Sequence, residues 1–265
     1  MNRTLDRADA LSLLQSSGRN ALELEAISRH FGALVALADI NLSVAAGERH
    51  AVLGSNGAGK TTLFNAITGD FPPTTGRVRL FGEDVTELAP YERIRRGLRR
   101  TYQISLLFHQ LSVLDNVYLA CRGVARNRFA LTRPRRDDAL MHSAETLVSA
   151  VHLDDVRDRL VGELSHGQQR QLEIGLALAG APRLVLFDEP AAGLSPGERT
   201  ELVEILQSMP DHIAFIIIEH DMDVALRVAE RVTMMHNGRV FKEGTPDEIE
   251  NDPEVQQLYL GGAHG

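Results

Sequence analysis

The chain of 265 residues has one cysteine, Cys121, so no disulfide forms within it and its thiol suits a reducing compartment. No apolar run approaches the ~18 residues that a membrane-spanning helix needs. The most apolar stretch, Ile213 to Ile218, has the length of a buried strand. Residues 1–20 carry scattered charges where a secretory leader would be continuously apolar, and they read as a loose extension. A basic excess is also missing. With 28 Lys and Arg against 36 Asp and Glu, the formal charge of −8 argues against nucleic acid as a partner. No internal repeat or low-complexity segment is present, and none of the 10 histidines pairs with another His or Cys at metal-ligand spacing. What is present, 43% hydrophobic and 24% charged residues, suits one large α/β domain over 21–265.

Hydrophobic periodicity divides that domain. Leu22, Leu24 and Ala26 alternate with polar residues, as do Ile40, Leu42 and Val44, and later Val78 and Leu80. These are half-buried strands. Leu184 to Phe187 and Ile213 to Ile218 are apolar without alternation, the pattern of parallel strands covered on both faces. Asn237-Gly238, between Val232–Met235 and Val240-Phe241, predicts a hairpin, because both turn positions tolerate positive φ. Ser195-Pro196-Gly197-Glu198 and Thr245-Pro246-Asp247-Glu248 each place a hydroxyl at an N-cap, proline at N1 and glutamate at N3. From about 104 to 180 the text turns Leu-, Ala- and Arg-rich, which predicts a helical insertion into the α/β core with Arg133-Pro134-Arg135 as a connection.

Residues Gly54, Ser55, Asn56, Gly57, Ala58, Gly59, Lys60 and Thr61 complete a G-x-x-x-x-G-K-[ST] loop, with an apolar strand before it and a helical stretch from Thr62 to Thr68 after it. Glycines let backbone amides turn inward around phosphate oxygens, and the next helix adds its positive end. In such a loop Lys60 reaches the β- and γ-phosphates of a nucleotide, and the Thr61 hydroxyl binds Mg2+. A magnesium site also needs a carboxylate. Asp188 ends the buried run Leu184–Phe187, at the strand edge where open α/β sheets place ligand chemistry, and Glu189 follows. The two acids divide the work, Asp188 on the metal and Glu189 polarising the attacking water.

Leu164-Ser165-His166-Gly167-Gln168-Gln169-Arg170, shortly before Asp188-Glu189-Pro190, resembles the signature sequence of ABC ATPases. The resemblance covers nearly the whole chain after residue 21. It implies a P-loop (RecA-like) ABC ATPase core with an N-terminal antiparallel β subdomain and an inserted helical subdomain. It further implies that Gln103, in Arg100-Thr101-Tyr102-Gln103, is the Q-loop glutamine beside the metal and γ-phosphate, and that His220 is the switch histidine. Phe31 sits where an aromatic residue stacks on adenine, although it also reads as ordinary core. Ser165, Gly167 and Gln168, at the start of a helix expected near Gln168, would meet the γ-phosphate of ATP held by a second protomer. Three positions depart from the family: Ser55 for the common proline, His166 for a glycine, and Ser195 for the D-loop aspartate. Serine and aspartate are near-equivalent N-caps, so serine is expected to stand in for aspartate there at no cost in folding.

Within the family the chain is most similar to ATPase subunits of branched-chain amino acid importers. The matching segments are Arg100–Gln103, Ser105–Phe108, Leu111–Val117, Gly167–Arg170, Asp188–Leu194, Ile218–Met222 and Leu258–Gly261. Importers of urea, amides and aromatic acids use close relatives; outside importers, an ABC exporter ATPase is a nearer rival than a non-transport ABC ATPase acting on DNA or ribosomes, which would carry a long coiled-coil insertion or a duplicated cassette. The resemblance implies two transmembrane permease subunits, a second ATPase subunit, an extracytoplasmic substrate-binding protein, and a place on the cytoplasmic face of the membrane. Arginines cluster at 93, 95, 96, 99 and 100, and again from Arg122 to Arg136. They read either as a solvated, ion-paired face or as contacts to anionic headgroups.

Overall fold

The computed structural model describes residues 20–101, 107–124 and 139–260. The strands among them are β1 (Asn20–Phe31), β2 (Leu34–Ala45), β3 (Arg49–Gly54), β4 (Thr75–Leu80), β5 (Glu83–Asp84), β6 (Leu98–Arg100), β7 (Leu184–Asp188), β8 (Ala214–Glu219), β9 (Arg231–His236) and β10 (Arg239–Gly244). The helices are α1 (Lys60–Thr68), α2 (Pro90–Arg95), α3 (Val113–Val124), α4 (Ala139–Ala150), α5 (His166–Leu178), α6 (Pro196–Gln207), α7 (Met222–Val228), α8 (Pro246–Glu250) and α9 (Pro253–Leu260). No helix of the described residues is long and apolar enough to cross a membrane.

Two sheets form. The N-terminal one is antiparallel in the order β2-β1-β4-β5, and the larger has the order β10-β9-β3-β8-β7-β6, with β6, β7, β8, β3 and β9 parallel. β1 and β2 run well beyond the alternating stubs that mark them in the sequence, because a bulge carries β1 onward. Ala26 has φ 51° there and donates its amide to Asn41 Oδ1 at 2.9 Å. The β9–β10 turn has Asn237 at φ 48° and Gly238 at φ 74°, as the Asn-Gly pair predicts.

The runs that fail to alternate are buried on both faces. Val52, Leu184, Leu186, Ile216 and Ile218 pack with Leu63, Phe64 and Ile67 of α1 and with Leu22, Ile40 and Val78 of the antiparallel sheet. Ala51, Leu53, Val185, Phe187, Phe215 and Ile217 pack on the other face with Leu172, Leu202, Leu206 and Val224 from α5, α6 and α7. Helices α3, α4 and α5 lie in the chain between β6 and β7, and their buried residues, Val117, Cys121, Val148 and Leu172 among them, join that second core. The architecture is the one expected, an α/β core with an antiparallel β sheet and inserted helices.

At its ends the first arginine cluster is buried rather than solvated, and its ion-paired reading holds at Arg96 and Arg100. Arg93 is fully buried and caps the last turn of α1, donating to the carbonyls of Ala66, Ile67, Thr86 and Leu88. Arg100 is buried in an ion pair. Arg96 pairs with Glu83, and Arg99 donates to the Ile94 and Leu98 carbonyls. In the second cluster Arg122 donates to Tyr118 Oη, while the stretch 125–138, including Arg133-Pro134-Arg135, lies outside the described residues.

Candidate functional site: a phosphate cleft at the strand ends

Four adjacent parallel strands end side by side. Arg100 closes β6, Asp188 closes β7, Glu219 closes β8 just before His220, and Gly54 closes β3. A Cβ at Gly54 would stand 2.5 Å from the Met235 carbonyl oxygen of β9, so glycine lets the loop begin this deep in the sheet. Gly57 (φ 80°) and Gly59 (φ 100°) turn the loop into α1 in a left-handed conformation that other residues resist. Lys60 is buried and donates through Nζ to the carbonyls of Gly54 (2.7 Å) and Ser55 (3.2 Å). Burial lowers its pKa, and the charges of Glu189, Asp188 and Glu219 oppose that shift. Ser55, Asn56, Gly57 and Thr61 are exposed, and Thr62 is half-buried.

The β9–β10 turn braces this loop. Gly238 donates its amide to the Ala58 carbonyl at 3.0 Å and accepts from Ala38 at 2.8 Å. Loop, turn and the start of β2 enclose a cleft of about 420 Å³, whose lining includes Leu34, Val35, Asn56 to Thr62, Glu189, Asn237 and Gly238. Leu34 and Val35 are 65% and 48% exposed and give one wall of the cleft an aliphatic surface. Phe31 is not part of the lining. Its ring meets Phe71 edge-on, with centroids 5.5 Å apart, and the Arg29 guanidinium lies 4.7 Å from one ring centre and 4.6 Å from the other.

Asp188 is almost fully buried. Its Oδ2 accepts from Arg100 Nη2 at 2.7 Å, its amide donates to Thr101 Oγ1 at 3.2 Å, and its buried Oδ1 has no hydrogen-bond partner among the described residues. Glu189 adopts φ 49° and donates its amide to the Ile218 carbonyl at 2.9 Å, which places its half-buried side chain on the cleft. Glu219 accepts from the Ala191 amide at 2.8 Å, and its Oε2 lies 3.9 Å from His220 Nδ1. Burial pushes the Glu219 carboxyl above its usual range. The His220 side chain is 57% exposed. Gln103 lies outside the described residues.

The signature segment stands apart from the cleft of its own chain. Ser165 is the N-cap of α5: Oγ accepts from the Gln168 amide at 3.1 Å and Gln168 Oε1 accepts from the Ser165 amide at 3.1 Å. The helix therefore starts at His166, two residues before the position expected, and Gln168 is its N3 residue. Gly167 donates to Glu198 Oε1 at 3.1 Å, while Glu198 Oε2 accepts from the Ser195 amide (2.9 Å) and hydroxyl (2.7 Å). That last bond gives Ser195 a second role beside the N-cap. The hydroxyl donates to a carboxylate, which an aspartate carboxylate cannot do.

The Asp188 partner Arg100, the Ala191 partner Glu219, the Leu34-Val35 pair and the contact of Glu198 with Gly167 escape the motif reading. Arg100 stood within a quoted motif, and Glu219 beside a named histidine, but no spacing rule ties either to an acid or an amide far along the chain.

Comparison with known proteins agrees with this geometry. Residues 37–192 match the ABC transporter family, and residues 243–265 match the branched-chain amino acid ATP-binding cassette transporter family. The high-affinity branched-chain amino acid transport ATP-binding protein BraF of Pseudomonas aeruginosa is 34% identical, over 92% of this chain and 99% of its own. LivG of Escherichia coli K12, with the same description, is 32% identical over 91% and 98%. The lipopolysaccharide export system ATP-binding protein LptB of Acidithiobacillus ferridurans is 35% identical over 91% and 96%. The crystal structure of the ADP conformation of MJ1267, an ATP-binding cassette of an ABC transporter, superposes with a TM-score of 0.81 at 32% identity, covering 91% of this chain and 99% of that one. A glycine-lined loop, a lysine folded into it, two acids at the end of β7 and a signature helix are thus carried on a shared fold, and the chain belongs to the ABC transporter family as an ATP-binding, ATP-hydrolysing cassette.

Proposed function

We propose that the protein energises import of branched-chain amino acids. The observation that carries this is the match of residues 243–265, a segment outside the nucleotide-binding motifs, to the branched-chain amino acid cassette family. Similarity to BraF and LivG over nearly their whole lengths supports it. The cassette works with two transmembrane permease subunits, a second cassette and an extracytoplasmic substrate-binding protein, on the cytoplasmic face of the membrane.

In the site, the loop amides of 55–61 and Lys60 bind the nucleotide phosphates. Thr61 and Asp188 would hold Mg2+: the buried Asp188 Oδ1, which has no hydrogen-bond partner among the described residues, fits a cation ligand. The cation supplies charge neutralisation for the phosphates. Glu189, on the cleft with Lys60, takes the proton of the attacking water, and His220 and Gln103 address the γ-phosphate side. Phe31 is proposed to reach adenine, an assignment its contacts with Phe71 and Arg29 do not themselves support. Ser165, Gly167 and Gln168 complete the site of the opposite protomer, so one chain holds half of each of two sites.

The LptB similarity gives a second reading, export. Uptake of labelled leucine, isoleucine and valine by a strain lacking this protein separates the two. Loss of uptake supports the proposal, unchanged uptake of all three overturns it, and a defect in surface export favours the second reading.

A further inference from the structure

Arg100 is the last residue of β6, the edge strand beside β7. It pairs in register with Leu186, so its side chain must reach forward along the sheet edge to meet Asp188. Only 6% of it is exposed. One arm of the guanidinium, Nη2, donates to Asp188 Oδ2 at 2.7 Å. The other arm, Nη1, donates to Asn65 Oδ1 at 2.6 Å and to Asp70 Oδ2 at 3.2 Å. Asn65 belongs to α1, and Asp70 follows it, accepting from Thr68 Oγ1 at 2.6 Å. The Phe64 ring of the same helix lies 5.5 Å from the guanidinium carbon.

We infer that Arg100 is a positioning residue for the metal site: it binds one oxygen of Asp188, leaves Oδ1 for the cation, and ties that carboxylate to the helix bearing Thr61. The inference rests on the proposed reading of Asp188 and Thr61 as magnesium ligands. Two facts set this contact apart from ordinary strand-edge packing. The contact consumes one Asp188 oxygen and leaves the other buried and without a hydrogen bond among the described residues, an arrangement whose cost is recovered when a cation arrives. Thr101, the residue after β6, accepts from the Asp188 amide, so two consecutive residues at this strand end hold Asp188 by both side chain and backbone. A carboxylate held through one oxygen has a set orientation for the other, and such outer contacts govern the affinity of a ligand set. A planar fork does this with two arms in fixed geometry, which an ammonium cannot.

The test uses the full chain and a fluorescent ATP analogue, titrated in EDTA and again at rising Mg2+, with melting temperatures recorded alongside. In Arg100→Gln the Mg2+ concentration giving half of the magnesium effect on nucleotide binding should rise about 10- to 100-fold, while binding in EDTA stays near the parent's. Asp70→Asn loosens the same guanidinium at its exposed end and leaves Asp188 alone. It should lower the melting temperature without moving the magnesium midpoint. If Arg100→Gln does not fold, Arg100→Lys, which keeps the charge and loses the fork, gives the same comparison. A parent-like magnesium midpoint in an Arg100 variant of lowered melting temperature makes Arg100 structural only and overturns the inference. If the parent itself shows no magnesium effect, the metal reading of Asp188 fails and the inference falls with it.

Discussion

The Gly167 amide donates to Glu198 Oε1 at 3.1 Å, joining the first turn of α5 to the first turn of α6. Gly167 is not in the left-handed region, so its backbone alone does not demand glycine. A Cβ at 167 would overlap Glu198 Oε1 and crowd the rest of its carboxyl group, so the Glu198 side chain would have to move and give up its bond to the 167 amide. Replacing a helical glycine with alanine ordinarily gains up to ~1 kcal/mol. Here Gly167→Ala is expected to lower the melting temperature, since Glu198 must leave both Gly167 and Ser195. In a Glu198→Ala background the same change should be neutral or stabilising. A rise in melting temperature for Gly167→Ala in the parent would show that Glu198 yields freely.

Ser195 caps α6 and donates its hydroxyl to Glu198 Oε2. Ser195→Ala should cost about 1 kcal/mol on the N-cap scale. Ser195→Asp keeps an N-cap acceptor but sets two carboxylates against each other, so it too should melt below the parent at neutral pH. The Ser195 hydroxyl and amide, with the Gly167 amide, hold the Glu198 carboxyl below its usual range. A carboxyl depressed on folding adds stability above its unfolded value, and that stability is lost as pH falls through the folded value. The gap between parent and Ser195→Ala should therefore narrow on acidification. A gap independent of pH would remove Glu198 from the account.

These two helix ends show what the sequence makes readable. Ser195 and Thr245 cap helices as their spacing to Glu198 and Glu248 implies, because a capping box is local. The Gly54–Thr61 loop and the Asn237-Gly238 turn are legible for the same reason. That the turn's Gly238 amide binds the loop at Ala58 is not, since it depends on β9 lying beside β3. Arg100 and Asp188 are 88 positions apart, and only the parallel pairing of β6 with β7 brings them together. The bend of Glu189 into φ 49° likewise follows from β8, whose Ile218 carbonyl receives its amide.

Glu219 offers a test by pH. It is fully buried at the end of β8, and burial raises its pKa, with the Glu189 charge adding to the shift and the Ala191 and His220 contacts opposing it. A carboxyl raised on folding binds its proton more tightly in the native state, so stability falls as pH rises from the unfolded carboxyl value toward the folded one. Glu219→Gln keeps an oxygen for the Ala191 amide and removes the ionisation. As pH rises above the ordinary carboxyl range, melting temperatures should fall less steeply for the variant than for the parent. Parallel curves would mean that Glu219 keeps an ordinary pKa.

The catalytic assignment is the sharpest. Glu189 lines the cleft with Lys60, and its backbone is held by β8 independently of its side chain. Glu189→Gln keeps the size and hydrogen-bonding capacity but removes the proposed base and one negative charge on the cleft. Nucleotide binding should survive, and a two-protomer ATP-bound form should accumulate. General-base catalysis contributes ~10²–10⁴-fold, so turnover should fall by at least the lower figure. Lys60→Ala acts at a different step. Its ammonium is buried among the loop carbonyls of Gly54 and Ser55, so its loss should weaken nucleotide binding itself. The measurements are ATP turnover, nucleotide affinity and sedimentation of both variants, with a partner cassette added if the pair is heteromeric. Near-parent turnover in Glu189→Gln would place the base elsewhere. Turnover independent of protein concentration in a proven monomer would refute a site completed by Ser165 and Gly167 of a second protomer.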